Sequence, residues 1–187
     1  KSILQKSLEK IKNYKTIGIS YSIQHKHEIP KVIQFYKENG KKIILSKKLG
    51  YAAYEGHIIG CEFSGLKKIQ EEVEAFLILG NNFHSMGASL AVKKPVILLD
   101  VYNDKVTEMK GIREKILRQR ILSIEKFKEA KKIGIITEIK LGQKFGTPKT
   151  IIEELKKSGK EVILISMNEL SPDKLMNFYN VDAFVEL

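Results

Sequence analysis

The feature that most constrains this chain is the regular alternation of short apolar runs with segments of helical spacing. Runs rich in Ile, Val and Leu, such as residues 16–22, are typical of strands that are buried on both faces. Parallel neighbours of this kind need a helical crossover, and such crossovers are right-handed. We therefore predict an α/β fold of two consecutive small parallel-sheet α/β domains joined by a long helix, with residues 1–107 in the first domain and residues 108–187 in the second.

Turn and capping signals divide the chain into elements. Pro30, Pro148 and Pro172 suit the first turn of a helix, with Thr147 and Ser171 as N-caps, and Gly40 and Gly159 suit the position just after a helix. The predicted strands are residues 16–22, 42–46, 56–59, 75–79, 95–100, 133–137, 161–166 and 181–185. The predicted helices are residues 2–13, 30–39, 65–72, 85–91, 105–132 and 148–158, with a last one from residue 172.

Cysteine content and hydropathy bear on the cellular compartment. The chain has one cysteine, so it has no internal disulfide framework and fits a reducing compartment. No apolar run approaches the roughly 20 residues that span a bilayer, and the first residues lack the apolar core of a signal peptide. We expect a cytoplasmic protein with no membrane partner. Since the chain does not begin with Met, we also expect that further sequence lies outside it.

The charge is strongly positive, with 33 Lys and Arg against 22 Asp and Glu and a net charge of +11. Clustered cations would favour nucleic acid. Here the lysines are spread beside glutamates, as in residues 67–72 and 153–157, which is typical of solvated helix surfaces. The pattern therefore argues against a nucleic-acid partner. Two interpretations of the positive charge remain open: the lysine content of a protein from a high-temperature or AT-rich source, and attraction toward an acidic macromolecule.

Ligands of open α/β sheets bind beyond the carboxyl ends of the strands, which selects several polar or glycine-rich loops. Structural roles remain open for each: Gln24 and His25 could satisfy loop backbone, Asn81 could supply turn geometry, and Gly142 could need a positive φ. The candidate positions are residues 22–25, Cys61, residues 80–87, Asp100 and residues 140–143.

Cys61 is the residue with the most chemical potential, and three uses remain open. It could be a small buried apolar residue, one corner of an iron-sulfur cluster completed elsewhere, or a nucleophile with His57 or His84 as its base. The neighbouring Glu62 argues against an activated thiol. A zinc site is not expected, because the chain contains no Cys-x-x-Cys or His-x-x-x-His pair.

Taken in order, these motifs resemble the archaeal diphthamide synthesis enzymes, which make 2-(3-amino-3-carboxypropyl)histidine. Residues 22–25 are similar to the family's Thr-Val-Gln-His, residues 60–64 to its Leu-Gly-Cys-Asp, and residues 79–84 to its Gly-x-Gly-x-Phe-His. Further matches are residues 94–102 with Lys-Pro-Val and Asp-Pro-Tyr, residues 140–143 with Lys-Pro-Gly-Gln, and residues 170–185 with the run before the family's last cysteine. The chain departs from these motifs at Asn82, Val101 and Leu141.

The resemblance implies three similar α/β domains, each giving one cysteine to a 4Fe-4S cluster, with this chain as the second and third. Cys61 would be one cluster ligand, and Gln24, His84, Lys140 and Gln143 would line the S-adenosylmethionine side of the cleft. The implied reaction uses a 3-amino-3-carboxypropyl radical to modify a histidine of translation elongation factor 2. The remaining thiolates would come from outside this chain, and the family implies a homodimer or heterodimer. No residue is assigned a catalytic role.

A second hypothesis treats the chain as a non-catalytic partner or scaffold subunit that keeps the fold but binds no cluster by itself. A generic nucleotide-binding module is a third option, and it is disfavoured because the sequence has no Gly-x-Gly-x-x-Gly or Walker motif.

Overall fold

The computed structural model describes residues 2–139 and 147–187, so the candidates Lys140 and Gln143 lie outside the described residues. The chain divides into two compact units, the first ending at Leu117 and the second beginning at Arg118. Each unit is an α/β fold on its own sheet, and all strand pairs but one are parallel among the described residues, which confirms the predicted fold class.

The first unit contains a five-stranded sheet in the order β2-β1-β3-β4-β5. Its strands are β1 (Thr16–Tyr21), β2 (Lys42–Leu45), β3 (Ala75–Leu79), β4 (Val96–Asp100) and β5 (Lys105–Glu108). Its helices are α1 (Ile3–Lys10), α2 (Ile29–Glu38), α3 (Ser64–Ile69) and α4 (Asn82–Ala91), with a 3₁₀ helix (Ile23–Glu28) before α2. Strands β1 to β4 are mutually parallel, and β5 is antiparallel to β4.

Helices cover both faces of this sheet. Alternate residues of β3 point to opposite sides, so Leu77 packs in one core cluster with Val32 of α2, and Ile78 packs in another with Leu66 of α3 and Ala88 of α4. This two-sided burial explains the unbroken apolar runs in the sequence. Because both faces are covered, a polar site has to lie at an edge of the sheet, where the strands give way to loops.

The second unit carries a three-stranded parallel sheet in the order β7-β6-β8. Its strands are β6 (Lys132–Glu138), β7 (Glu161–Met167) and β8 (Ala183–Glu186). The helices are α5 (Lys110–Glu129), which contains the division between the units, α6 (Pro148–Lys157) and α7 (Pro172–Leu175), followed by a 3₁₀ turn (Met176–Phe178).

The two sheets repeat one packing device. Gly18 of β1 pairs with Phe76 of β3, and a Cβ at Gly18 would lie 2.5 Å from the Phe76 ring. Gly134 of β6 pairs with Phe184 of β8, and a Cβ there would lie 2.7 Å from the ring. Contacts this short leave no room for a side chain, so each glycine makes space for the phenylalanine of the neighbouring strand.

A carboxylate before the third strand of each unit is a second repeated device. Glu74 accepts the backbone N–H of Thr16 at 2.8 Å, and Asp182 accepts that of Lys132 at the same distance. These backbone hydrogen bonds are the main reason why the pKa of each carboxylate is held below its ordinary value. Equivalent residues thus join the amino ends of paired strands in both units.

The predicted helix over residues 105–132 is wrong at its amino end. Asp104, at φ 48°, and the carboxylate of Asp100, which accepts the N–H of Asn103 at 3.1 Å, build a turn. The turn sends β5 back along β4, and α5 starts only at Lys110. The charged residues gave no strand pattern in the sequence, because β5 is an edge strand that pairs with β4.

Other predicted boundaries shift slightly. The helix expected over residues 85–91 begins at Asn82, because Asn81 caps it. Ser171 caps α7 as predicted, whereas Thr147 holds the N-cap position of α6 without a side-chain capping bond. Gly40 and Gly159 have positive φ as expected. Among the described residues, no helix combines the length and apolar character needed to cross a bilayer.

Candidate functional site

The carboxyl edge of the first sheet brings two predicted loops together. Beyond β1, the Ser22 N–H donates to Leu79 O at 2.9 Å. Beyond β3, a Cβ at Gly80 would lie 3.6 Å from Ser22 Oγ and 3.5 Å from His84 Nδ1. Ser22, Gly80 and His84 are therefore neighbours, as expected for parallel strands that end at one edge.

The segment before Cys61 runs along the end of β1, but the strand predicted over residues 56–59 is wrong. The Tyr21 N–H donates to Gly56 O at 2.8 Å, and the Tyr21 carbonyl accepts the Ile58 N–H at 3.0 Å. These two bonds make one isolated bridge between Tyr21 and His57 and no strand. Gly56 has φ 79°, and a Cβ there would lie 2.5 Å from the Tyr21 ring. This left-handed turn against an aromatic ring stops the strand.

Cys61 is exposed and sits in the tight turn that follows. Ile59 and Glu62 form a second isolated bridge, with Glu62 N–H donating to Ile59 O at 3.2 Å, so the cysteine lies within a closed loop. No hydrogen bond, ion pair or ring contact in the described part of the chain involves the Cys61 thiol. This exposure excludes the interpretation of Cys61 as a buried apolar residue. The thiol also has no basic partner among the described residues, which disfavours a role for Cys61 as a nucleophile.

Glu62 serves the loop and not the thiol. Its Oε1 accepts the N–H of Ser64 at 2.7 Å, at the start of α3. Hydrogen bonds from Ser64, through its side chain and backbone, are the main reason why the pKa of Glu62 is lowered. The carboxylate therefore ties Cys61 to the first turn of α3.

His84 is a half-buried imidazole with a defined tautomer. Asn81 caps α4 by accepting Phe83 N–H at 3.0 Å and His84 N–H at 3.3 Å on Oδ1, and His84 Nδ1 lies 2.8 Å from the same oxygen. Since Oδ1 can only accept, Nδ1 carries the proton. Burial, with smaller contributions from His57 and His25, lowers the pKa of His84. The ring is therefore neutral near pH 7, and its Nε2, which has no hydrogen-bond partner among the described residues, can act as an acceptor.

Two more histidines surround this edge. His57 Nδ1 accepts the Ala53 N–H at 3.0 Å, so its neutral ring carries the proton on Nε2, and burial lowers its pKa. His25 is buried, 3.3 Å from Glu28 Oε2, with its ring centroid 5.7 Å from that of Tyr102. These contacts give both rings structural roles in the loops.

Of the predicted cofactor-binding residues, the structure places two at this edge. Gln24 is exposed on the 3₁₀ helix after β1, and His84 lies beside the loop after β3. Cys61, the predicted metal ligand, is in the same unit. Among residues 2–139 and 147–187, no group of three or more His, Cys, Asp or Glu is arranged to hold a metal ion.

Sequence reasoning included Phe83 and Tyr102 within candidate segments and motifs but gave neither of these exposed aromatic residues a role. The side chain of Phe83 is 59% exposed and that of Tyr102 is 77% exposed. Each lies in a strand-end loop that also holds a polar candidate residue, His84 or Asp100. A large apolar side chain in such a loop is the sequence signal that could have identified Phe83 and Tyr102.

Comparison with known proteins decides the family. All of residues 1–187 match the family model described as diphthamide synthesis protein. The chain belongs to this family. The resemblance seen in the sequence is therefore confirmed. The diphthamide synthesis family member from Pyrococcus horikoshii named 2-(3-amino-3-carboxypropyl)histidine synthase is 30% identical over 183 residues, covering 95% of this chain and 52% of that protein.

Two other relatives agree. Subunit 1 of 2-(3-amino-3-carboxypropyl)histidine synthase from Kluyveromyces lactis is 30% identical over 137 residues, which cover 71% of this chain and 32% of the subunit. The crystal structure of Dph2 from Pyrococcus horikoshii with a 4Fe-4S cluster superposes with a TM-score of 0.85 at 29% identity, covering 98% of this chain and 54% of that one. The chain thus spans about half the length of the archaeal relative.

Proposed function

We propose that this chain is part or a subunit of a radical S-adenosylmethionine enzyme that transfers a 3-amino-3-carboxypropyl group to a histidine of translation elongation factor 2 in diphthamide biosynthesis. One observation carries the proposal: Cys61 presents an exposed thiol without a partner in the described structure. It does so in a chain whose fold matches a relative crystallised with a 4Fe-4S cluster.

The residues present fit one corner of such a cluster. A thiolate is the ligand that iron-sulfur clusters take in proteins, and an accessible sulfur without competing hydrogen bonds can bind iron. Cys61 is the only cysteine among these 187 residues, so the other thiolates have to come from outside them. When bound, the cluster would supply one electron that breaks a carbon–sulfur bond of S-adenosylmethionine and releases the 3-amino-3-carboxypropyl radical.

The overall transfer balances without a net oxidant. A carbon–hydrogen bond of the substrate imidazole is replaced by a carbon–carbon bond, and methylthioadenosine and a proton leave. Gln24 and His84 would hold the substrate: the exposed amide of Gln24 can pair with the methionine carboxylate, and the free Nε2 of neutral His84 can accept a ribose hydroxyl. Lys140 and Gln143 are proposed to bind S-adenosylmethionine from their motif alone.

The alternative is a non-catalytic partner or scaffold subunit. The observation that favours it is that the sequence contains a single cysteine, which cannot hold a cluster by itself. In that case the two units keep the family fold for assembly, as a homodimer or heterodimer, while another polypeptide carries the cluster.

Anaerobic reconstitution with iron and sulfide separates the two functions. The chain is tested alone and with full-length family members, as wild type, Cys61→Ser and the exposed-residue control Tyr179→Ala. The enzyme hypothesis expects visible cluster absorption and methylthioadenosine formation that fall with Cys61→Ser and persist with Tyr179→Ala. Equal loading of wild type and Cys61→Ser contradicts the role of Cys61, and a colourless protein under all conditions supports the scaffold.

A further inference from the structure

Phe83 differs from an ordinary surface residue in what its ring touches. It lies in the first turn of α4, its side chain is 59% exposed, and it belongs to none of the core clusters among the described residues. Single exposed apolar side chains are common and need no explanation by themselves. What distinguishes Phe83 is the contact that its ring makes with Gly60.

That contact is with the residue directly before Cys61. A Cβ at Gly60 would lie 1.9 Å from Phe83 Cε1 and 2.4 Å from Cδ1, so the ring rests on bare backbone. A reciprocal contact lies on the other side of the cysteine, where a Cβ at Gly87 would lie 2.3 Å from Phe63 Cζ. We name these two contacts, Phe83 on Gly60 and Phe63 on Gly87, the Phe–Gly clasp.

The clasp joins the Cys61 loop to the helix that carries His84. Gly60 and Phe63 flank Cys61 in the loop, and Phe83 and Gly87 are one turn apart on α4. Phe63 is partly buried and packs against the core cluster that contains Leu66 and Ala88, whereas Phe83 belongs to none of the clusters. The contact of Phe83 with Gly60 therefore serves the loop more than the core. Without these contacts, an exposed loop of this kind would open easily.

We propose that Phe83 is a positioning residue for Cys61: its ring holds Gly60 against α4, which fixes the backbone that carries the sulfur, and it would form an apolar wall beside a bound cluster. The inference rests on the proposed function, in which Cys61 binds iron. An apolar wall limits access of water to a bound cluster, and solvent exposure is one of the factors that set cluster stability and potential. The ring would thus control both where the thiolate stands and how dry its surroundings are.

The first test uses the chain without any metal. Because Cys61 is the only cysteine, alkylation by iodoacetamide reports on this site alone. We expect Phe83→Ala to raise the alkylation rate about threefold or more, because the loop that carries the exposed thiol is released from α4 and becomes more mobile. Phe83→Leu keeps an apolar contact with Gly60 and should stay within about twofold of wild type, as should the control Tyr179→Ala. Equal rates for Phe83→Ala and Tyr179→Ala would overturn the proposal.

A size exchange tests the contact itself. Gly60→Ala puts a methyl group into the Phe83 ring and should lower the melting temperature, and Phe83→Ala in the same chain should relieve that loss. If the two substitutions are additive, the clasp does not exist in solution. In assembled, cluster-loaded protein, a chelator should remove iron faster from Phe83→Ala than from Phe83→Leu. Equal rates there overturn the positioning role. If no protein loads iron, wild type included, the result contradicts the proposed function, and the alkylation and exchange results decide the clasp.

Discussion

Lys41 offers a test of how the first unit is held together. Its Nζ donates to three backbone carbonyls: Ile11 O at 2.9 Å, Lys12 O at 3.2 Å and Tyr14 O at 2.8 Å. These carbonyls follow the end of α1, where helical C=O groups lack partners and the helix dipole is negative. One ammonium therefore closes the connection between α1 and β1 from the amino end of β2.

The expected cost of removing this ammonium follows from the contacts. A hydrogen bond to a charged group contributes roughly 1.5–3 kcal/mol. The three carbonyls share one partly exposed ammonium, so we count the group once and expect Lys41→Met to lower the free energy of unfolding by about 2 kcal/mol. Methionine retains the apolar stem, so packing should change little. A loss of this size corresponds to a fall of about 6 °C in the melting temperature.

Urea unfolding followed by circular dichroism measures the loss, with Lys42→Met as the matched control. Lys42 is adjacent and exposed, and its side chain makes no hydrogen bond or ion pair in the described structure, so its substitution changes the charge alone. In the second unit, Lys160 donates to Lys128 O at 3.0 Å and Ala130 O at 2.6 Å, and Lys160→Met should cost a similar amount. If the free energies of unfolding of Lys41→Met and Lys42→Met lie within about 0.5 kcal/mol of each other, the hydrogen bonds of Lys41 do not stabilise the first unit as expected.

Two further predictions concern the candidate site. Gly87→Ala should cost about 1–3 kcal/mol, because the methyl group meets the Phe63 ring, whereas Gly111→Ala, in open space in the first turn of α5, should not destabilise the protein; equal unfolding midpoints would contradict the contact. Since the pKa of His84 is lowered in the folded state, the unfolded chain binds more protons as the pH falls below about 6.5, and stability decreases there. His84→Gln should flatten the loss between pH 7.5 and 5.5, with the remaining slope coming from His57, and an unchanged pH profile would show that His84 is not buried neutral.

The buried strands could be predicted from sequence because their burial is two-sided. β3 and β4 are continuous apolar runs, and only a strand between two helical layers needs apolar residues on both faces. β5 could not be predicted, because its polar residues gain strand structure only by pairing with β4 after the Asp104 turn. Residues 56–59 show the opposite error, since an apolar run beside a positive-φ glycine forms one bridge and no strand.

The candidate site was predictable as a set of loops and not as an arrangement. The rule that ligands bind at strand carboxyl ends selects Gln24, Cys61 and His84, and all three lie in the first unit. The tautomer of His84 depends on the cap made by Asn81, and the contact of Phe83 with Gly60 depends on tertiary packing. The local sequence pattern predicts neither the hydrogen bond between Asn81 and His84 nor the contact between Phe83 and Gly60, because both depend on how the folded chain places the partners.

The repeat between the two units was visible in the sequence as Ile-Gly-Ile at residues 17–19 and 133–135, but the structure is needed to show what it preserves. The shared devices lie within the sheets or at the amino ends of strands: Lys41 and Lys160 before the second strand of each unit, and Glu74 and Asp182 before the third.

The features of the candidate site lie at the opposite edge, beyond the carboxyl ends, and belong to the first unit. Cys61, His84 and the clasp have no counterpart that the described part of the second unit shows. Residues that join strands at their amino ends are needed for stability in each α/β unit. Loops at the carboxyl ends are less important for stability and can therefore carry functional side chains. The separation has a direct consequence: Lys41→Met should lower stability and leave the alkylation rate of Cys61 in the folded protein unchanged. Coupled changes in both would mean that the two edges of the sheet do not act independently.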